Sequence, residues 1–386
     1  MKRRDFLSAL AALSASLHAG QSTASVRSAP ASQHLALAWR SGSVLSDGQA
    51  SAGSADHVGV AMLDWQAGQI RLLRSMKVPG RAHGLVADGR GGFYAVATRP
   101  GDWIIHIDAD AARAPLLLNP GRDESSPRTL NGHLMLSADG RWLFSTETDA
   151  RSGLGWIARR DAQTLRCEAA WPSHGLDPHQ LLPDELNETL LVANGGIPRN
   201  AAGRKQSLEL MDPCLVRLDA QDGRLLDRWQ LPDKRLSLRH LAWSHDDAGR
   251  LLGVGLQAEH DSAEARRAAP LLAVFDGQKL SLPTRAAEGA GYAGDITAGP
   301  GGSFLLSAQK AGRGLLWHPD APAELLRLAE LREICALVSW RDADGESGLL
   351  MAAAAGVARW HAGDGAHMLA WPEALAPDNH AALLIL

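Results

Sequence analysis

The sequence predicts an all-β protein, a seven-bladed β-propeller whose last blade is closed by strands from both ends of the chain. Three observations favour this fold. Short apolar runs are separated by turn pairs such as Asp88-Gly89 and Asp139-Gly140. One sequence unit recurs along the chain, and its final copy is incomplete. Apolar runs of this kind, bounded by Gly and Asp turns, are typical of β-hairpins.

The recurring unit consists of a polar residue, an apolar run, a turn and a second apolar run. Its six copies begin at the following residues: His83, His133, His179, His240, Asp295 and, more loosely, Cys335. The starts are 40 to 61 residues apart, which brackets the usual length of a four-stranded propeller blade, about 40 to 50 residues. The repeat therefore predicts six blades.

The two ends of the chain supply a seventh blade. Residues 378–386 repeat the opening of the unit and then stop, as a single strand would. The missing strands are predicted at residues 34–39, 57–64 and 70–76. A blade assembled from both termini closes the ring and covers its free edges, whereas an open β-solenoid would not need one. We therefore expect a closed ring.

The first residues have the pattern of an export signal. The pair Arg3-Arg4 is followed by a short run rich in Ser, Ala and Leu, which is typical of a twin-arginine signal. We expect residues 1–24 to be this signal, residues 25–33 to be a flexible leader and residues 34–386 to be the propeller. The protein is then periplasmic and exported by the twin-arginine route. An ordinary secretory signal is the alternative.

Composition and charge argue against several other classes of protein. No later stretch approaches 18 uninterrupted apolar residues, so we expect no membrane span after removal of the signal. The net charge of −4 is nearly balanced, with Arg and Asp mixed throughout, so we expect no nucleic-acid partner. Cys167, Cys214 and Cys335 are too few and too far apart for a disulfide framework or a cysteine-based zinc site. At most one disulfide can form.

Equivalent residues of a propeller form a ring, because the first strand of each blade lines the central channel. The residues at the opening of the unit are five histidines, an aspartate and a cysteine: His83, His133, His179, His240, Asp295, Cys335 and His380. Polar residues also end the second strands, and Glu147, Asn194 and Gln257 are expected at the same channel mouth. His174 and Arg239 lie close to members of the ring in the sequence. We therefore expect a polar ligand site at this mouth.

Imidazole and carboxylate groups are typical ligands of iron, copper and zinc, and convergent polar groups in a concavity form the usual binding site. The candidate metal ligands are His83, His133, His179, His240 and His380, with iron or copper as the candidate cofactor. Two alternatives stay open, a small organic ligand and a structural ring of histidines that bind water and backbone groups. The sequence has no local signature such as His-Glu-x-x-His.

Four short segments resemble a family of bacterial exported propellers. They are residues 173–179 (Ser-His-Gly-Leu-Asp-Pro-His), 192–197 (Val-Ala-Asn-Gly-Gly-Ile), 237–242 (Ser-Leu-Arg-His-Leu-Ala) and 145–149 (Ser-Thr-Glu-Thr-Asp). This family is catalogued as domain of unknown function fifteen-thirteen and is similar to propellers with YVTN-like or quinoprotein-like repeats. Its genes often lie beside those for imelysin-like peptidases and di-haem oxidoreductases. The resemblance therefore implies an iron-related periplasmic role, with periplasmic iron-uptake proteins as partners.

The expected function is thus the binding of a transition metal, or of a ligand that carries one, in iron or copper handling. Two functions of other classes stay open. One is an interaction platform that docks a partner from a periplasmic pathway on one face of the propeller. The other is an enzyme, lactonase-like or an oxidoreductase, with Glu147 and a ring histidine as acid and base. The sequence indicates no substrate.

Overall fold

A computed structural model describes residues 29–42, 54–184, 188–200, 202–246, 249–283 and 289–385. The predicted signal, residues 1–24, lies outside the described residues, as does the first part of the predicted leader. In the described part of the chain, no helix has both the length and the apolar character needed to cross a membrane.

Seven antiparallel sheets of four strands each make up the molecule. Blade 7 contains β1 (Ser32–Ser41), β2 (Asp56–Asp64), β3 (Gln69–Lys77) and β28 (Leu375–Leu384). Blade 1 contains β4 (Ala82–Ala87), β5 (Phe93–Ala97), β6 (Ile104–Ile107) and β7 (Leu116–Leu118). Blade 2 contains β8 (Arg128–Leu136), β9 (Trp142–Asp149), β10 (Leu154–Asp161) and β11 (Cys167–Leu176). Blade 3 contains β12 (Pro178–Asp184), β13 (Thr189–Asn194), β14 (Cys214–Asp219) and β15 (Leu225–Trp229). Blade 4 contains β16 (Leu236–Asp246), β17 (Gly249–Ala258), β18 (Leu272–Phe275) and β19 (Leu280–Ser281). Blade 5 contains β20 (Ile296–Ala298), β21 (Phe304–Ala308), β22 (Arg313–Trp317) and β23 (Leu326–Glu330). Blade 6 contains β24 (Leu337–Arg341), β25 (Ser347–Ala353), β26 (Gly356–His361) and β27 (Gly365–Ala370).

Helical structure is limited to short connections in the described residues. These are α1 (Pro120–Asp123), α2 (Ala263–Ala268) and the 3₁₀ turns Leu208–Leu210, Pro300–Gly302 and Gln309–Ala311. The predicted all-β, seven-bladed propeller is confirmed.

The ring is closed by strands from both termini, as predicted. Strand β28 pairs with β1 in antiparallel register, from His34 opposite Leu384 to Ser41 opposite Leu375. It is therefore the innermost strand of blade 7, and β1 to β3 complete that sheet. Strand β1 begins at Ser32, slightly before the predicted start of the propeller at residue 34.

The hydrophobic core is divided among the interfaces between blades. Seven clusters of buried apolar residues occur, and each draws its members from two neighbouring blades. Trp39 of blade 7 packs in one cluster with Trp340 of blade 6, for example, and Ile104 of blade 1 packs in another with Leu143 of blade 2. Since each sheet is covered by both neighbours, the closed ring buries the apolar faces of all seven sheets.

Side-chain hydrogen bonds also join neighbouring inner strands around the channel. The Nδ2 of Asn131 donates to the carbonyl of Pro178 at 2.9 Å. Gln180 Oε1 accepts from the backbone N–H of Leu241 at 2.7 Å. These bonds hold the strands that carry the candidate site in fixed relative positions.

Candidate functional site

Five inner strands carry a β-bulge, and every one of these bulges contains a histidine. They are His83 on β4, His133 on β8, His179 on β12, His240 on β16 and His380 on β28. Strands β20 and β24, which open the other two blades, pair with their neighbours without a shift in register. A bulge adds a residue to one strand and redirects the local side chains. The bulges therefore explain how five histidines from five blades converge.

These five residues, called here the histidine cluster, form a closed circle of contacts. Successive ring centroids lie 4.9, 4.4, 4.6, 4.7 and 4.7 Å apart around the circle from His83 back to His83. The Nε2 of His179 lies 3.3 Å from the Nε2 atoms of both His133 and His240. All five residues are at most 8% exposed. The structure thus brings together the five histidines expected as metal ligands.

The cluster contains three sets of potential metal ligands whose ligand atoms lie within 4.8 Å of one another. These sets are His83, His133 and His380; His133, His179 and His240; and His240, Asp295 and His380. Three histidines, His133, His240 and His380, each belong to two sets. Because imidazole and carboxylate groups ligate transition metals, the cluster can hold a metal ion.

Carboxylates orient two of the rings from outside the cluster. The Nδ1 of His380 lies 3.2 Å from Oδ1 of Asp295, and the Nδ1 of His83 lies 3.5 Å from Oδ1 of Asp378. Within the described part of the chain, the buried Nε2 of His380 has no hydrogen-bond partner. A carboxylate on one imidazole nitrogen fixes the ring and leaves the other nitrogen available to a metal. Asp295 and Asp378 therefore suit the role of outer partners, and Asp295, which belongs to one of the ligand sets, can instead ligate a metal directly.

Burial keeps four of the five cluster histidines neutral. It lowers the pKa of His83 to about 3 and lowers the pKa values of His133, His179 and His240 well below the usual range. Neighbouring imidazoles lower these pKa values further, and Arg239 and Arg99 do so at His179. The neutral ring is the form with a free lone pair for a metal. The neutral rings of His83, His133 and His240 are therefore competent to ligate at neutral pH.

Beside the histidines lies an arginine cluster, defined as Arg99, Arg199 and Arg239 around the buried carboxylate of Asp177. Arg99 Nη1 donates to this carboxylate, as do Arg199 Nε at 2.8 Å and Arg239 Nη1 at 3.1 Å. Burial alone would raise the pKa of Asp177, but the three guanidinium groups lower it to about 2. The Nη2 of Arg99 also contacts Nδ1 of His179. The two clusters are thus in direct contact.

Two residues expected at the channel mouth have partners outside the histidine cluster. Glu147 is buried between two arginines. Its Oε2 lies 2.7 Å from Nε of Arg128, and its Oε1 lies 2.6 Å from Nη2 of Arg160. His174 belongs to β11, the outermost strand of blade 2, and its Nε2 contacts the carbonyl of Gly223 at 3.1 Å. The structure brings neither side chain into the histidine cluster. Glu147 is occupied by its arginines, and an outer strand places His174 away from the channel lining.

Asn194, Gln257 and Cys335, which were also expected in the ring or at the channel mouth, have partners or surroundings of their own. Asn194 Nδ2 donates to the carbonyl of Ser173 at 3.0 Å, and Gln257 Nε2 donates to Glu259 Oε1 at 2.7 Å. Cys335 follows the ring repeat, but burial raises the pKa of its thiol to about 12. It belongs to none of the ligand sets found among the described residues. All three cysteines are free.

The sequence matches the model of the family described as "Protein of unknown function (DUF1513)" over residues 76–384. The chain belongs to the DUF1513 family. This agrees with the resemblance carried by the four segments of the sequence. No curated protein is significantly similar to this DUF1513 protein.

Solved structures that are similar to the DUF1513 protein in fold include a hydrazine synthase and a streptogramin B lyase. Hydrazine synthase of Kuenenia stuttgartiensis has 12% sequence identity and a TM-score of 0.54, covering 80% of this chain and 92% of that one. A streptogramin B lyase has 14% identity and a TM-score of 0.50, covering 78% of this chain and 87% of that one. At these identities, the similarity supports the propeller fold and nothing further.

Sequence analysis expected Arg239 and Asp295 at the mouth but missed the other charged groups that surround the histidines of this DUF1513 protein. Asp177 and Asp378 each precede a cluster histidine by two residues, and Arg81 has the same position before His83. Arg81 forms an ion pair with Asp378. Four of the five ring histidines have a polar residue two positions before them, and the exception is His240, which Leu238 precedes. This was the available signal, because residues i and i+2 of an extended strand share a face.

Gly132 gives a first test of how tightly the DUF1513 cluster is packed. Its φ is 96°, and an added Cβ would lie 2.8 Å from Cδ2 of His83. We expect Gly132→Ala to lower the free energy of unfolding by about 1–3 kcal/mol, since it adds both backbone strain and a steric clash. Urea denaturation measures this loss. Gly140→Ala is the control, because Gly140 also has a positive φ of 69° but open space at Cβ. Equal losses in the two variants would show that the clash with His83 contributes nothing.

Proposed function

We propose that this DUF1513 protein binds one transition-metal ion in its channel and serves iron or copper handling in the periplasm. The supporting observation is the set of five buried histidines, presented by five bulges, whose ring nitrogens face one another. His133, His240 and His380 form the centre of the proposed site, since each belongs to two of the ligand sets.

Burial of the ring nitrogens favours a metal over a purely structural role. Polar groups removed from water are normally hydrogen-bonded. Among the described residues, however, Nδ1 of His240 and Nε2 of His380 are buried without a hydrogen-bond partner. A bound metal ion would give ring nitrogens of this kind a partner and would offset the unfavourable free energy of burying them.

The spacing of the nitrogens also suits coordination. The Nε2 separations of 3.3 Å around His179 are close to the ligand spacing of about 3.3 Å in a tetrahedral site with metal–nitrogen bonds of about 2.0–2.1 Å. His179 needs a rearrangement before it can ligate. Arg99 donates to its Nδ1, which places the single proton of the neutral ring on Nε2. We therefore propose His179 as a ligand that joins when Arg99 moves away.

The donor set supports iron or copper. Imidazole suits both metals, and two histidines with one carboxylate, as in the set of His240, Asp295 and His380, is a common ligand set for iron(II).

The iron-uptake setting implied by the family resemblance supports iron as the metal and periplasmic uptake proteins as the partners. The predicted twin-arginine signal supports the proposed location.

Metal titration of the tag-free, chelator-treated protein tests the proposal. Iron(II) without oxygen, copper(II) and zinc(II) are added separately with chloride as the only anion. Retained metal is then measured by mass spectrometry after desalting. We expect iron or copper to be retained at one ion per chain with a Kd below about 1 μM. Retention of none of the three metals would refute the proposed function.

A further inference from the structure

The arginine cluster carries more positive charge than its partners neutralise. Three guanidinium groups, each with at most 14% of the side chain exposed, surround the single carboxylate of Asp177. The nearby carboxylate of Glu259 is paired with Lys205, so it does not offset the excess. Buried charge without a counter-charge is costly. The cluster therefore favours an additional anion.

A small cavity adjoins this excess charge. Its volume is about 30 Å³, and Arg99 and Arg199 line it together with Thr129 and Asn131. Asp149 also lines it, and the carboxylate of Asp149 accepts from the backbone N–H groups of Arg151 and Ser152. A cavity of about 10–15 Å³ is enough for one water molecule, so this space suits a planar group of a few atoms.

Arg99 and Arg199 already donate to Asp177, and Arg199 Nη1 also donates to the carbonyl of Gly203. Each terminal guanidinium nitrogen carries a second N–H, and these would serve the oxygens of such a planar group.

We propose that this cavity binds a planar oxyanion, either carbonate or the carboxylate of an organic chelator, beside the metal site. Its coupling to the metal rests on the proposed function, whereas anion binding itself does not. The shared chemistry of the two sources is a pair of carboxylate-type oxygens that accept from Arg99 and Arg199.

Arg99 is the physical link between the anion and the metal. It donates to Asp177, lines the cavity and contacts Nδ1 of His179. An anion that engages Arg99 weakens its hydrogen bond to His179 and offsets the repulsion between the guanidinium groups and a metal ion. Because linkage between two ligands is reciprocal, each one raises the affinity for the other.

Anion binding is tested first on the metal-free protein. ¹³C-labelled bicarbonate is titrated by NMR and citrate by calorimetry, so that the two experiments separate free carbonate from a chelator carboxylate. We expect at least one probe to bind with a Kd below about 1 mM. Arg199→Gln should weaken that binding at least about tenfold, because a charge-assisted, two-point contact is lost. The control Arg217→Gln, whose arginine pairs with Asp184 and Asp227 in blade 3, should bind like the unmodified protein.

The outcomes separate this inference from the proposed function. If Arg199→Gln does not fold, Arg199→Lys keeps the charge but loses the fork, and it should show the same weakening. The absence of binding by either probe, or equal binding in the Arg199 and Arg217 variants, would overturn the anion site whatever the metal result. For the coupling, metal affinity is compared in bicarbonate and in chloride. We expect it to rise at least about fivefold in bicarbonate, and equal affinities would overturn the coupling alone.

Discussion

Replacing His133 and His240 together by alanine is expected to lower the affinity for iron or copper by at least about 100-fold. This pair is chosen because each of the three ligand sets loses a member when both are absent. Loss of an outer-shell partner alone typically costs 10- to 100-fold in metal affinity, and this variant removes candidate ligands themselves. Calorimetric titration of the chelator-treated variant with each metal measures the effect.

The matched control is His174→Ala with His367→Ala, which removes two imidazoles outside the cluster. His174 contacts the carbonyl of Gly223, and the side chain of His367 is 47% exposed on the outermost strand of blade 6. We expect this control to bind metal like the unmodified protein. Equal affinities in the two double variants would contradict ligation by the histidine cluster.

The cluster variant should still fold, which keeps the comparison interpretable. The two substitutions leave all seven apolar clusters between the blades intact. The buried Nδ1 of His240 has no hydrogen-bond partner in the described part of the chain, and removal of an unsatisfied polar group relieves a cost. The two substitutions also remove both neighbours of Nε2 of His179 and leave buried space empty. We therefore expect cooperative thermal unfolding, followed by circular dichroism, with a lowered midpoint.

The fold was predictable because its signals are local and repeated. In each blade, an apolar run, a turn and a second apolar run predict the first two strands, as in the segment from His133 to Glu147. The incomplete last copy also required partners from the other end of the chain, and the pairing of β28 with β1 supplied them. Alternating apolar residues and turns determine such strands almost independently of the rest of the protein.

The candidate site was predictable only in part. The five ring histidines share a repeat position, so their convergence followed from the propeller symmetry. The bulges that aim them depend on cross-strand pairing, which a single strand does not reveal. The arginine cluster draws Arg99 from blade 1, Arg199 from blade 3 and Arg239 from blade 4, and no sequence spacing links residues so far apart. The partners of Glu147 were not predictable either, since its ion pair with Arg160 depends on the pairing of β9 with the neighbouring strand β10.

Glu147→Ala is expected to lower the free energy of unfolding by about 3–5 kcal/mol at pH 7, the usual cost of breaking a buried ion pair. Glu147 is 1% exposed and Arg160 is fully buried, and their side chains meet at 2.6 Å. The variant would leave the Arg160 guanidinium with Glu124 as its remaining carboxylate partner. Guanidinium chloride denaturation measures the loss. The control is Glu330→Ala, because Glu330 forms an exposed pair with Arg327 and such pairs contribute little.

The pH dependence of this loss distinguishes charge from packing. Burial alone would raise the pKa of Glu147, but Arg160 and Arg128 more than offset it, so the pKa is lowered in the folded protein. The groups that face this carboxylate are those two arginines, Ser145, and Glu124 and Cys167 beyond them. A lowered pKa contributes stability that is fully present above the unfolded value of about 4.3 and is lost as the pH falls through the folded pKa. The difference between Glu147→Ala and the unmodified protein should therefore be constant from pH 8 to about pH 5 and shrink at lower pH. A difference that stayed equally large in acid would instead mean that Glu147 stabilises blade 2 by filling space, with no contribution from its charge.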